Sequence, residues 1–371
     1  MKKFAACFAL FVLASCSHLP NQEADNAAKQ LDWIMSEYQT YHEQMNPFNK
    51  TIVGDTNAKL PDLSPESLAK QNLRITEIYQ KLMTISPTNL SPKNQINWSV
   101  LTYKLKNQID SYLNKEHYMP LTAESGFHAN ISWINRQVKF QREEDYLDYL
   151  SRLKALPRYF DQQMMWMDKG IVEGITQPAV VLIGFEESIK AYIKQDATKS
   201  GYYLPFQTMP AHITKARKLQ LQKAAQHAIK QYVMPSYQKY FDYMVNRYQP
   251  NARSNIAASS LPNGKHYYQN RVDHYTTLKL TADEIHQQGL AEVKRIRMAM
   301  ENIIKKVGHQ GDFASFVEFL RTDKQFYATT ATQLLKEASF IAKKMDAQLP
   351  KLFKTLPRIP YGVMPVPKNI A

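Results

Sequence analysis

Hydrophobic positions recur at intervals of three and four along most of the chain, and strictly alternating runs are scarce. That period lines apolar side chains along one face of a helix. The clearest stretch begins at Thr281. Thr281-Ala282-Asp283-Glu284 has the spacing of a capping box, in which hydroxyl and carboxylate each satisfy the other residue's backbone amide. Ile285, Gly289, Val293, Ile296, Met300, Ile303, Ile304 and Val307 follow on one face, and Gly308 supplies a stop. The pattern predicts one long helix with a single buried stripe.

Other starts are marked by a serine followed by proline, whose fixed backbone angle suits the first helical turn. Ser64-Pro65 opens one helix, with Leu68, Ile75, Ile78, Tyr79 and Leu82 on its inner side, and Ser91-Pro92 opens the next. The acidic trio Glu143, Glu144 and Asp145 suits the positive end of a helix carrying Leu147, Leu150 and Leu153, which Pro157 bends or ends. Pro235 falls inside a helical run from Ile213 to Tyr248 and predicts a kink or two abutting helices. With 11 glycines in the whole chain, no internal repeat and no low-complexity linker in the body, the expected fold class is all-α. Residues 31–371 are expected to form a single helical domain.

The N-terminus has a different pattern. Lys2 and Lys3 precede an apolar run from Phe4 to Leu13, then Ala14, Ser15 and Cys16. The run falls well short of the ~20 residues that cross a bilayer as a helix, so it reads as the core of a secretory signal. Leu13-Ala14-Ser15-Cys16 resembles the bacterial lipobox. Residues 1–15 are therefore expected to be a signal peptide, Cys16 the lipidation site, and 16–30 a flexible lipidated tether. An ordinary cleavable signal with an incidental cysteine is the alternative. Ser17 beside the cysteine resembles lipoproteins forwarded to the outer membrane. The membrane is thus an expected partner, reached through palmitate-type chains on Cys16, with the body facing the periplasm.

Signal removal takes Cys7 away and leaves Cys16 alone, which excludes an internal disulfide and a cysteine-based metal site. The formal charge of +14 is uneven: Gly201 to Arg271 holds ten Lys or Arg residues against the single acid Asp242. Export argues against nucleic acid as a partner. The basic stretch is either a solvated helical face or an attractor of acidic partners.

Familiar catalytic motifs are missing from the sequence. None of the ten histidines has another four residues further on, and His42-Glu43 is followed by Asn46 where a zinc helix would carry histidine. There is no Gly-x-Ser-x-Gly elbow and no phosphate-binding glycine loop. Glu186 and Glu187 point about 100 degrees apart on a helix and read as solvated charge, with Glu186 facing Lys190. His266, His274 and His286 form a loose cluster. Tyr267, Tyr268 and Tyr275 gather around His266 and His274 on what reads as a non-helical stretch. Tyr267, Tyr268 and His274 are the substrate-cleft candidates, since loops carry binding groups disproportionately; the alternative is that these rings fill space between helix layers. No catalytic residue and no metal ligand is assigned.

Several segments in a fixed order complete the picture: Pro47 with Gly54-Asp55, Leu60 to Ser64, Leu147 to Leu156, then Gly170, Gly174 and Pro178. Gly264-Lys265-His266-Tyr267-Tyr268, His274 to Thr277, Leu280 to His286 and Gly289-Leu290 follow. In these the chain resembles the bacterial lipoprotein family catalogued as domain of unknown function 885. The resemblance implies a helical zinc metallopeptidase, related in architecture to thimet oligopeptidase, with a long cleft for peptide between helical lobes. It implies zinc as cofactor of the intact protein, on a His-Glu helix downstream of the segment that here is Tyr361 to Pro367. The sequence stops at Ala371, before that helix. The expectation is therefore an N-terminal, cleft-building part of a periplasmic zinc metallopeptidase lipoprotein, without a cofactor and inactive by itself. The alternative is a non-catalytic helical envelope lipoprotein that binds peptides, cell wall or a protein partner.

Overall fold

The computed structural model describes residues 22–47, 59–193 and 196–366. The signal segment and Cys16 lie outside the described residues. Among those described, every regular element is helical, and β structure is limited to the isolated bridges Leu121–Gly126 and Pro178–Arg253. No helix of this set is long and apolar enough to cross a membrane. Where the sequence pattern suggested one body over 31–371, the chain divides into two compact units, Met1–Lys279 and Leu280–Ala371.

The first unit opens with three long helices: α1 (Gln22–Met45), α2 (Pro65–Met83) and α3 (Pro92–Leu113). Part of the expected tether is thus ordered as helix. Glu23 and Asp25 sit in its first turn, Asp25 pairs with Lys29 at 2.7 Å, and Ala27 already packs on the core. Ser64 and Ser91 cap α2 and α3 through their hydroxyls, which accept from the amides of Ser67 and Asn94. Leu31, Ile34, Ile78, Leu82 and Leu105 interlock as one buried cluster between the three helices. The Trp98 indole ties α3 to the end of α2 by donating to the Leu82 carbonyl at 3.1 Å.

A larger core follows, built by α4 (Glu143–Lys154), α5 (Leu156–Glu173), α6 (Lys215–Ala228) and α7 (Met234–Tyr243). Asp145, not a hydroxyl residue, closes the start of α4 by accepting from the Gln141 and Arg142 amides. Pro157 stands in the first turn of α5, so α4 ends and a new helix begins. Gly174 ends α5 with φ +72°, a left-handed turn that a side chain would strain. The abundance of tyrosine is largely explained here. Tyr146, Tyr149, Tyr202, Tyr237, Tyr240 and Tyr248 are fully buried. Several satisfy their hydroxyls within the core, Tyr202 with Tyr237 at 2.7 Å and Tyr149 on the Tyr202 carbonyl at 3.1 Å.

The run through Pro235 does not kink sharply. Two π-helical turns, Ile229–Val233 and Met244–Tyr248, bracket α7. Pro235 has no N–H for the carbonyl four residues back, and the wide turn just before it absorbs the mismatch. The unit closes with α8 (Gly264–Thr276), in the stretch expected to be non-helical.

The second unit contains α9 (Ala282–Lys306), α10 (Phe313–Thr322) and α11 (Ala331–Asp346). The capping box at Thr281 forms in full, the Glu284 amide donating to the Thr281 hydroxyl and the Glu284 carboxylate accepting from the Thr281 amide. Gly308 has φ +74°. The expected burial of the α9 stripe does not occur: Ile304 is its one buried residue. The period reports which face is apolar, and here that face is left open.

Candidate functional site

Helix α3 separates two cavities of the first unit. On one side, α1 and α2 enclose about 490 Å³ with α3 and the turn that follows it. On the other, α8 crosses α3 and leaves about 330 Å³. Asn107 lines both.

Arg271 of α8 stands at the junction. Its guanidinium lies 2.7 Å from the Glu116 carboxylate, with side chains 14% and 28% exposed. It also donates to the Asn107 side-chain oxygen at 3.1 Å and to that of Asn270 at 2.5 Å. Asn270 in turn donates to Asp110, which is paired with Lys106. A planar guanidinium suits such a fork of partners and fixes α8 against α3 in one orientation.

The backbone around this junction is unusual. Lys115, Asn263 and Thr277 are the non-glycine residues with positive φ among the described residues, at 57°, 56° and 58°. Lys115 immediately precedes Glu116, while Asn263 and Thr277 flank the two ends of α8. Such conformations cost about 1–3 kcal/mol each and persist where the surroundings enforce them. Gly264 follows Asn263 because the Ala258 carbonyl would lie 2.3 Å from any Cβ there.

The larger cavity has an apolar floor of Leu63, Leu68 and Ile75 and a wall of carboxamides and hydroxyls, including Gln71, Asn72, Asn107, Gln108 and Ser111. His42 and His117 join it. Burial first, then Lys169 and Lys115, push the His117 imidazole down to about 4. Its ring stacks on Tyr112 at 5.3 Å and meets Trp166 edge-on at 4.5 Å. Burial and then Lys104 lower His42 as well. Both rings are thus held neutral near pH 7, where an imidazole offers one donor and one acceptor.

The three cleft candidates separate. His274 lies in the smaller cavity, stacked on Tyr103 at 5.0 Å, with the Tyr103 hydroxyl donating to the His274 carbonyl at 2.6 Å. Its Nδ1 is buried without a hydrogen-bond partner. Tyr267 is half-buried beside Arg271, whose guanidinium is 5.9 Å from its ring centre. Tyr268 is exposed on another side of the helix, as is Tyr275. His266 is exposed too, and His286 belongs to the second unit. Glu186 accepts from Gln249 at 3.0 Å and Lys190 pairs with Glu187, so the expected Glu186–Lys190 pair does not form. The residues that organise the junction, Arg271, Glu116, Asn107 and Asn270, carry no motif and were not singled out by the sequence.

The basic stretch is largely consumed internally. Arg217 binds Glu143, Lys239 binds Asp161, Arg247 binds Asp168, and Arg253 donates to the Thr176, Asn255 and Ala257 carbonyls. That favours the solvated, structural reading over an attractor of acidic partners. Zinc finds no fit either: among the described residues no three His, Cys, Asp or Glu side chains converge in a group that could hold a metal ion.

These features can be set beside known proteins. A profile of bacterial proteins of unknown function, DUF885, matches residues 47–371, and the chain belongs to that family. Among solved structures, the fold is similar to that of a provisionally assigned lipoprotein from Colwellia psychrerythraea, with a TM-score of 0.80 and 18% identity. The match covers 90% of this chain and 61% of that one, so the chain spans less than two thirds of its relative's length. No curated protein matches.

Proposed function

We propose that this chain is the cleft-building helical part of a lipid-anchored envelope peptidase of the zinc-dependent kind, and that it holds peptide and does not cut it. The cavity between α1, α2 and α3 carries the reading. Each peptide unit brings one N–H donor and one carbonyl acceptor, and the carboxamides of Gln71, Asn72, Asn107 and Gln108 offer both complements side by side. Neutral imidazoles at His42 and His117 add the same dual capacity without charge. The apolar floor accepts a side chain, and a volume of about 490 Å³ suits a short segment. Anchorage through acylated Cys16 and an outer-membrane, periplasm-facing location follow from the lipobox-like N-terminus, with the similar Colwellia lipoprotein in support. Metal ligands and general base would come from polypeptide other than the residues described.

The test is fluorescence anisotropy with a short, labelled, uncharged peptide, together with metal content and chelator-controlled hydrolysis. Binding is expected to change little with salt, because the lining is neutral, and to weaken in Gln71→Leu. No chelator-sensitive cleavage is expected from this chain alone. Binding that falls steeply with salt and ignores Gln71→Leu would overturn the reading, as would chelator-sensitive cleavage.

A further inference from the structure

The second unit leaves its apolar side chains in water. On α9, Val293 is 67% exposed and Ile303 54% exposed, and Ile296, Met300 and Val307 continue the same row at intervals of three and four. Ile304, at 5%, is the one buried hydrophobic residue of the unit among those described. On α11, Leu334, Ile341 and Met345 are exposed along one side, and Phe340 lies beside them. The opposite side of α9 is finished for solvent, with Arg295 on Glu292 at 2.7 Å and Arg297 on Glu301 at 2.9 Å. Continuous exposed apolar rows of this extent mark surfaces that bind something, since isolated soluble chains avoid them.

The spacing and the length of the relative together indicate what binds. Intervals of three and four form a straight seam that accepts another helix lying along it. The similar Colwellia lipoprotein has the same fold over the matched part, and the portion beyond the 61% has no counterpart here. A membrane surface is less suited, because the basic residues of α9 are partly neutralised by acidic neighbours on the same helix.

We infer that the apolar faces of α9 and α11 are an interface for a helical polypeptide, equivalent to the portion of the Colwellia lipoprotein that this chain does not match. The inference goes beyond the peptide-holding reading and does not depend on it: it concerns what covers α9, whatever chemistry the covering polypeptide brings.

The experiment mixes the full chain with that unmatched portion of the Colwellia protein, produced separately. It reads complex mass by sedimentation and α9 amide protection by hydrogen exchange. A one-to-one complex that protects α9, and that Val293→Asp with Ile303→Asp weakens by at least about tenfold, is expected. Because both positions are exposed, the double variant should match the parent in thermal unfolding when alone, so lost binding is not lost folding. Absence of a complex, or one indifferent to the double variant, would overturn the inference. So would self-association through α9, which assigns the face to a second copy, and α9 protection by anionic lipid vesicles alone. Peptide binding in the α1–α3 cavity is read separately, so either idea can fail without the other.

Discussion

Arg271 and Glu116 lie far apart in sequence, yet their side chains meet at 2.7 Å where α8 crosses the turn after α3. Neither is fully exposed, so each depends on the other for its charge to be tolerated there. Replacing Arg271 by methionine strands Glu116 and also removes the donors to Asn107 and Asn270. The expected loss is about 2–4 kcal/mol in urea unfolding. Adding Glu116→Gln should recover part of it, because a stranded charge costs more than a stranded amide. An Arg271→Met variant with an unchanged midpoint would show that the junction is ornamental.

Stability should respond to mild acid through buried imidazoles. Burial holds both His117 and His128 down to about 4, below the usual histidine value near 6.5. Between those limits the unfolded chain binds protons that the folded chain refuses, so stability present above pH 6.5 is lost as pH falls toward 4. The urea midpoint should drop across that window, and His117→Phe should make the drop shallower. A flat profile in the parent would contradict the neutral state of these rings.

Two isoleucines of α9 should behave oppositely in the isolated chain. Ile296 is 42% exposed, so Ile296→Asp should change stability by less than about 1 kcal/mol. Ile304 is buried, and Ile304→Asp should cost several kcal/mol by placing an unpaired charge among apolar neighbours. Comparable losses at both positions in thermal unfolding would mean that the α9 row is covered within the chain itself.

The lipobox expectation is tested outside the described residues. Cys16→Ala should leave the signal uncleaved, abolish incorporation of labelled fatty acid, and remove the acyl anchor that two or more chains make stable. Equal labelling of parent and variant in cells would refute acylation at Cys16.

Most helix boundaries were legible because capping is local chemistry. Ser64, Ser91 and Thr281 announce α2, α3 and α9 within four residues, and each cap forms as the residues dictate. Helix α8 was illegible for the converse reason. It packs on α3 through Asn270, Arg271 and His274, so its inner face has no apolar period to detect. The α9 stripe taught a different lesson, because amphipathicity tells which side of a helix avoids water and says nothing of what covers it. The cavity residues Gln71, Asn107 and His117 come from separate helices, and only the fold makes neighbours of them.

The π-helical turns on either side of α7 bear on how this fold tolerates change in length. Ala225, Ile229, Val233, Tyr237, Tyr240, Met244 and Tyr248 all face the core, mostly four residues apart, a spacing wider than the α-helical repeat of about 3.6. Each wide turn behaves as one residue inserted into an ordinary helix, resetting the angular phase so that the next aromatic still points inward. A one-residue deletion at Lys230 or Gln231 would return the helix to regular geometry and at the same time rotate everything beyond it by about 100 degrees, swinging Tyr237 and Tyr240 toward solvent. Here the irregular backbone keeps the phase, and straightening it would be the damaging mutation.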